Sequence, residues 1–174
     1  MNGRSWQYAD LNAIAALEAE NFSDPWNHRM LADSFLSGNF YGSLLEEDGA
    51  ITAYGGVSVV LDEAEVQLIC TAEVYRRCGR GGKILEDLLQ IAEEKGAKRV
   101  FLEVRVSNAP AMSLYLKYGF CGLYARSRYY ADGEDALVMV KELGLNFPMC
   151  SGARGKTSYF CTATSPPKRV FTRR

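Results

Sequence analysis

The 174-residue sequence predicts a mixed α/β fold in which an antiparallel N-terminal meander runs into a central βαβ crossover. Three observations predict it. Apolar positions recur with a helical period near both Leu11 and Leu31, then alternate like strands from Phe40 to Thr71. Two reversal signals, Asp48-Gly49 and Asp62-Glu63, divide that stretch into three strands. A glycine-rich loop, a helix and a strand follow the third strand, and this order describes a crossover rather than another hairpin.

In order along the chain, a short start around Trp6 to Tyr8 leads to Asp10, a plausible N-cap for a helix carrying Leu11, Ile14 and Leu17. A second helical stretch, NHRMLADSFLSG, stops at Gly38. After the meander, the helix that follows the loop puts Ile84, Leu85, Leu88, Leu89 and Ile91 on one face before Gly96 ends it. The strand RVFLEVRV comes next. Asn108 then caps a helix that runs through Tyr118, tolerates Pro110 in its first turn and stops at Gly119. Two last strands, around FCGLYARS and EDALVMVK, flank a turn at Asp132-Gly133.

Composition sets the bounds on function. At 48% hydrophobic and 24% charged, the chain suits one soluble domain, expected over residues 1–143. The start lacks the apolar run of a signal peptide and no stretch approaches a membrane span, so a cytoplasmic protein without membrane contact is expected, with a monomer favoured. Residues 1–143 carry 14 Lys plus Arg against 21 Asp plus Glu, a net of −7. Residues 144–174 carry six basic residues and no acidic ones, lose both periodicities, and read as a basic, poorly ordered extension. An acidic body argues against direct nucleic-acid binding and favours a cationic partner. The five cysteines are odd in number, scattered and never spaced C-x-x-C, which suits reduced thiols and shows no metal site. The single histidine, His28, leaves little scope for a histidine-activated nucleophile.

The loop itself admits three anionic ligands. A nucleoside-triphosphate loop fails twice, because Arg77 stands where its first glycine belongs and Ile84 where its hydroxyl belongs. A dinucleotide loop fits Gly79-x-Gly81, with Glu103 22 residues beyond Gly81 as ribose acid, but finds Ile84 at the third glycine position and follows an antiparallel meander. The remaining pattern is Arg76-Arg77-Cys78-Gly79-Arg80-Gly81, whose glycines let backbone N–H groups converge at a helix mouth where a pyrophosphate fits. Arg77, Arg80 and Lys83 would add positive charge.

That pattern resembles the R/Q-x-x-G-x-G/A signature of the GCN5-related N-acetyltransferases (GNAT). Four further features, Asp24-Pro25-Trp26, VLDEAEVQLICTAEVYRR, LEVRVSNAPAMSLYLKYGF and RYYADGEDALVM, are similar to the bacterial ribosomal-protein-alanine N-acetyltransferases of the RimI type. The resemblance runs from about residue 5 to residue 142. It implies a GNAT fold, acetyl-coenzyme A as acetyl donor, no metal, and transfer to the N-terminal amine, alanine in that family, of a small-subunit ribosomal protein. It also implies Glu103 as general base and Tyr115 as general acid. Coenzyme contacts would fall on Ile69, Cys70, Thr71, Arg77, Cys78, Gly79, Arg80, Gly81, Gly82 and Asn108.

Some assignments go beyond the family motif. A backbone N–H between Ile69 and Thr71 is expected to hold the oxyanion. Trp26, Tyr129, Tyr130, Glu134 and Asp135 are expected in an acceptor groove. Cys78 would make the loop sensitive to oxidation. Four alternatives stay open at this point: acetylation of a small-molecule amine, coenzyme binding without turnover, the nicotinamide-binding reading of the loop, and an acetyl-cysteine route through Cys70.

Overall fold

The computed structural model describes residues 3–144. Seven strands form one sheet in the order β1-β2-β3-β4-β5-β7-β6: β1 Gly3–Ser5, β2 Phe40–Glu47, β3 Ala50–Val60, β4 Glu63–Thr71, β5 Arg99–Arg105, β6 Cys121–Arg126 and β7 Ala136–Glu142. Helices α1 (Leu11–Asn21) and α2 (His28–Phe35) cover one face. Helices α3 (Arg80–Glu94) and α4 (Ala109–Lys117) cover the other. Every neighbouring pair is antiparallel except β4 and β5, which α3 joins as the expected parallel crossover. None of the helices among the described residues is long and apolar enough to cross a membrane. Of the basic extension, only Gly144 falls within those residues.

Several boundaries differ from the sequence reading. Gly3–Ser5 forms an edge strand against β2, where sequence reading began only at Trp6. Asp10 does not use its side chain to cap α1. A 3-10 turn, Tyr8–Asp10, precedes the helix, and the Asp10 carboxylate reaches back to the Gln7 N–H at 2.7 Å and pairs with Arg4. At Asp48-Gly49 both φ angles are positive, as a type I′ hairpin requires. The second reversal is centred on Leu61-Asp62, one residue earlier than expected, because Leu61 takes the left-handed conformation at φ 58 and Glu63 already belongs to β4.

Two bulges shape the sheet. In β3, Leu45 opposes Ala53 and Glu46 opposes Ile51, leaving Thr52 as the extra residue. In β4, Leu68 opposes Gly56 and Val66 opposes Val57, so Gln67 is extra. An extra residue inverts the inward alternation and bends the strand. Ala64 and Val66 accordingly join the core under α3, whereas Leu68 and Cys70 join the core under α1 and α2. Beneath α3, Ile84, Leu85 and Leu88 are fully enclosed. Truncating Leu88 to Ala there costs about 2–5 kcal/mol.

Candidate active site

At the entrance to α3 the loop uses its glycines as expected. Gly79 is left-handed at φ 77 and serves as N-cap; Arg77 is also left-handed, at φ 63. The first helical bond runs from the Lys83 N–H to the Gly79 carbonyl at 3.0 Å. The backbone N–H groups of Arg77 through Gly82 therefore lack protein acceptors among the described residues. Six consecutive donors at a helix N-terminus make an anion cradle, reinforced by the helix dipole. Space is tight behind it: a Cβ on Gly81 would lie 3.3 Å from the Thr71 hydroxyl, and one on Gly82 2.7 Å from the Tyr118 hydroxyl.

Beside the cradle the sheet opens. Parallel pairing of β4 with β5 covers only Glu63 to Val66 against Arg99 to Leu102. Past the Gln67 bulge, β4 continues alongside β3 to Thr71 but has left β5. The edge of Ile69 to Thr71 that would have faced β5 thus borders a gap.

Glu103 and Tyr115 lie on opposite faces of the sheet. Alternation along β5 sends Val100, Leu102 and Val104 into the α3 core and Phe101, Glu103 and Arg105 to the α1–α2 side. Glu103 is 13% exposed and its Oε1 lies 2.7 Å from Arg126 Nη1. Tyr115 belongs to the α3-side core and is the one buried residue of α4, tilted against Phe120 with ring centroids 5.9 Å apart. Burial pushes its phenol well above the ordinary value, with a smaller push from nearby Tyr130. Tyr115 therefore stays protonated throughout the neutral range. Asn108 caps α4, accepting the Ala111 N–H at 3.2 Å as expected.

The family model for the acetyltransferase (GNAT) family matches residues 11–120. The chain belongs to that family. It is 34% identical over 144 residues to the Escherichia coli (strain K12) ribosomal protein bS18-alanine N-acetyltransferase, covering 81% of this chain and 97% of the relative. A Bacillus subtilis (strain 168) protein, provisionally named for the same activity, is 35% identical over 138 residues, covering 78% and 91%. The crystal structure of the ribosomal-protein-S18-alanine N-acetyltransferase from Escherichia coli superposes with a TM-score of 0.77 at 33% identity, covering 83% of this chain and 94% of that one.

Within this acetyltransferase, several expected roles need correction. Arg80 does not aim its charge at the cradle. Its guanidinium is buried, donates to the Thr52 hydroxyl at 2.7 Å, pairs with Glu47 and stacks on Tyr75 at 4.5 Å. The Thr52 bulge supplies that acceptor, so only the Arg80 backbone is left to the loop. Lys83 pairs with Asp87 at 2.6 Å. Of the three expected cations, only Arg77 has no carboxylate partner among the described residues.

Cys70 faces away from the gap, into the α1–α2 core, where burial pushes its thiol up to about 11. Hardly any thiolate exists at neutral pH, which removes the chemical basis of the acetyl-cysteine route. Cys70 and Cys78 are free thiols, Cys78 being exposed.

Of the residues expected in an acceptor groove, Tyr129 and Tyr130 stand edge-to-face at 5.2 Å, each on an arginine: Arg126 lies 5.5 Å from the Tyr129 centroid and Arg105 3.8 Å from that of Tyr130. Glu134 and Asp135, expected in the groove, have partners elsewhere: Glu134 outside the β6–β7 loop, Asp135 within it. Glu134 takes Arg105 and the Ser107 N–H; Asp135 takes the Arg128 N–H. Trp26 is half-buried against the α1–α2 core, and its backbone N–H donates to the buried Glu18 carboxylate at 3.0 Å. Sequence reading missed Arg126, Arg105 and Glu18. The RYY run pointed to the tyrosines, but nothing local marks the arginine beneath each ring.

Proposed function

We propose that this acetyltransferase moves the acetyl group of acetyl-coenzyme A onto the N-terminal amine of a protein, with an alanine-led small-subunit ribosomal protein as acceptor. The run of unpaired amides from Arg77 to Gly82, opening beside the β4–β5 gap, carries this reading. Those amides suit the diphosphate of coenzyme A, with Arg77 adding charge. The edge of Ile69 to Thr71 that borders the gap, whose Thr71 carbonyl accepts from Arg76 at 3.2 Å, and the Asn108 end of α4 would flank the pantetheine arm.

When bound, acetyl-coenzyme A supplies an acetyl thioester to the gap. Glu103 then takes the proton of the incoming ammonium, through water, and the amine nitrogen forms the new N–C bond as the C–S bond breaks. A backbone N–H between Ile69 and Thr71 stabilises the oxyanion. Tyr115 donates its phenolic proton to the departing sulfur and is reprotonated, through water, by the second proton that the nitrogen sheds as the amide forms. A thiolate near ~8.5 is a weaker base than a phenolate near ~10, the more so with the Tyr115 phenol raised by burial, so that transfer must accompany C–S cleavage rather than follow it.

Acceptor choice follows from acidity and charge. An α-amino group near ~7.7–8.0 is neutral several-hundred-fold more often at pH 7 than a lysine near ~10.4, so a carboxylate base suffices. A body of net −7 suits a basic partner, which would be met in the cytoplasm where ribosomal proteins are made. The test incubates the protein with acetyl-coenzyme A and either an alanine-led basic peptide, the same peptide with a blocked N-terminus, or a polyamine. Mass spectrometry should find acetyl on the first peptide alone. Acetylated polyamine with an unmodified peptide would overturn the assignment.

A further inference from the structure

We propose that Arg105 is a positioning residue that ties together the two loops flanking the acceptor side of the gap. This rests on the acetyltransferase reading above, but no role for Arg105 follows from that reading. Arg105 ends β5, two residues beyond Glu103 and on the same face. Its Nη1 donates to Asp132 Oδ2 at 2.8 Å and Glu134 Oε2 at 2.7 Å, both in the connection between β6 and β7. Its Nη2 donates to the Ser23 hydroxyl at 3.4 Å, in the connection between α1 and α2. The guanidinium plane also lies against Tyr130.

One side chain thus gathers segments more than 100 residues apart in sequence, Ser23 and Asp132, around the strand that carries Glu103. The other oxygen of Glu134 accepts the Ser107 N–H at 2.9 Å, extending the tie to the segment leading into α4 and Tyr115.

Three features separate this cluster from an ordinary surface ion pair. The side chains of Arg105 and Glu134 are only 23% and 22% exposed. The planar fork is used on several partners at once, which an ammonium cannot reproduce. Residues 127–135 form a longer connection than the two to five residues of a usual hairpin turn, and such loops wander unless held. Ala136 lies opposite both Arg105 and Arg126 in register, and its small side chain leaves room for the two cations to stand on either side of β7. Arg105 consequently sets where Tyr130 and the acceptor loop stand relative to Glu103, without touching the acetyl donor.

The experiment compares wild type with Arg105→Lys, Arg105→Gln and Glu134→Gln by steady-state kinetics on an alanine-led peptide, and by backbone hydrogen exchange on the free protein. The acceptor KM should rise about tenfold or more in the Arg105 variants, since small misplacements carry penalties of that order. Arg105→Lys should fail to rescue it. The KM for acetyl-coenzyme A should stay within about twofold, and exchange should accelerate over residues 22–27, 106–108 and 127–135 alone. An unchanged acceptor KM, equal losses toward both substrates, or accelerated exchange throughout the chain would overturn the proposal. If wild type acetylates no N-terminus, the functional reading fails separately, and the exchange pattern alone decides the tie; Glu134→Gln decides it where an Arg105 variant does not fold.

Discussion

The two halves of the proposed active site are built from different materials. On the donor side, six consecutive backbone N–H groups from Arg77 to Gly82 form the cradle, and two neighbouring cations, Arg80 and Lys83, turn away to Glu47 and Asp87. On the acceptor side, side chains dominate: Glu103 with Arg126, Arg105 with Asp132 and Glu134, and a tyrosine on each arginine. The contrast fits the ligands. A diphosphate is the same in every turnover and is held well by fixed dipoles, whereas an incoming peptide must be oriented and deprotonated, tasks that need charged groups at set positions.

Substitutions can break that contrast, beginning with the largest effect. Glu103→Gln should lower kcat by about 10²–10⁴-fold while coenzyme A affinity, measured by calorimetry, stays unchanged. A parallel loss of coenzyme binding would mean that the two halves are not separate. Tyr115→Phe should lower kcat by about 10²-fold, again sparing coenzyme affinity. Because the Tyr115 pKa is raised, ionisation of this phenol should not limit the wild-type rate anywhere between pH 6 and roughly pH 10. A basic limb of kcat near neutrality that vanishes in Tyr115→Phe would contradict that assignment.

Gly79→Ala acts on the donor half instead. A side chain at φ 77 costs about 1–2 kcal/mol, so coenzyme A should bind roughly tenfold more weakly as the loop relaxes, with the acceptor KM unaffected. Acid should loosen the acceptor half first. Hydrogen bonds from the Ser107 segment and Arg105 lower the Glu134 pKa from 4.5 to about 2. The stability these contacts provide is fully present above the unfolded-state pKa and drains as pH falls through about 4 toward 2. Urea unfolding should show wild type more stable than Glu134→Gln at pH 6, with the gap narrowing by pH 3. A constant gap would show that ionisation of Glu134 is irrelevant.

The same contrast explains what could be read from the chain and what could not. The cradle is local: Gly79, Gly81 and Gly82 lie within four positions, and their freedom from Cβ clashes is written in the residue type. The crossover and six of the seven strands followed from periodicity and turn residues. The acceptor half depends on distant pairs, Glu103 with Arg126 and Arg105 with Ser23, that no spacing rule connects. The bulges at Thr52 and Gln67 were equally hidden, because an extra residue in a strand leaves an ordinary alternating pattern on either side. Yet Gln67 marks where β4 departs from β5, and Thr52 gives Arg80 a partner away from the cradle.

The central claim is that main-chain amides between β4 and α3 grip a diphosphate, and calorimetry with paired ligands tests it most directly. Coenzyme A should bind the folded protein at least about 100-fold more tightly than pantetheine, which shares the thiol arm but lacks the diphosphate, since several charge-assisted hydrogen bonds are lost together. Equal affinities for the two, or no uptake of coenzyme A at all, would contradict it.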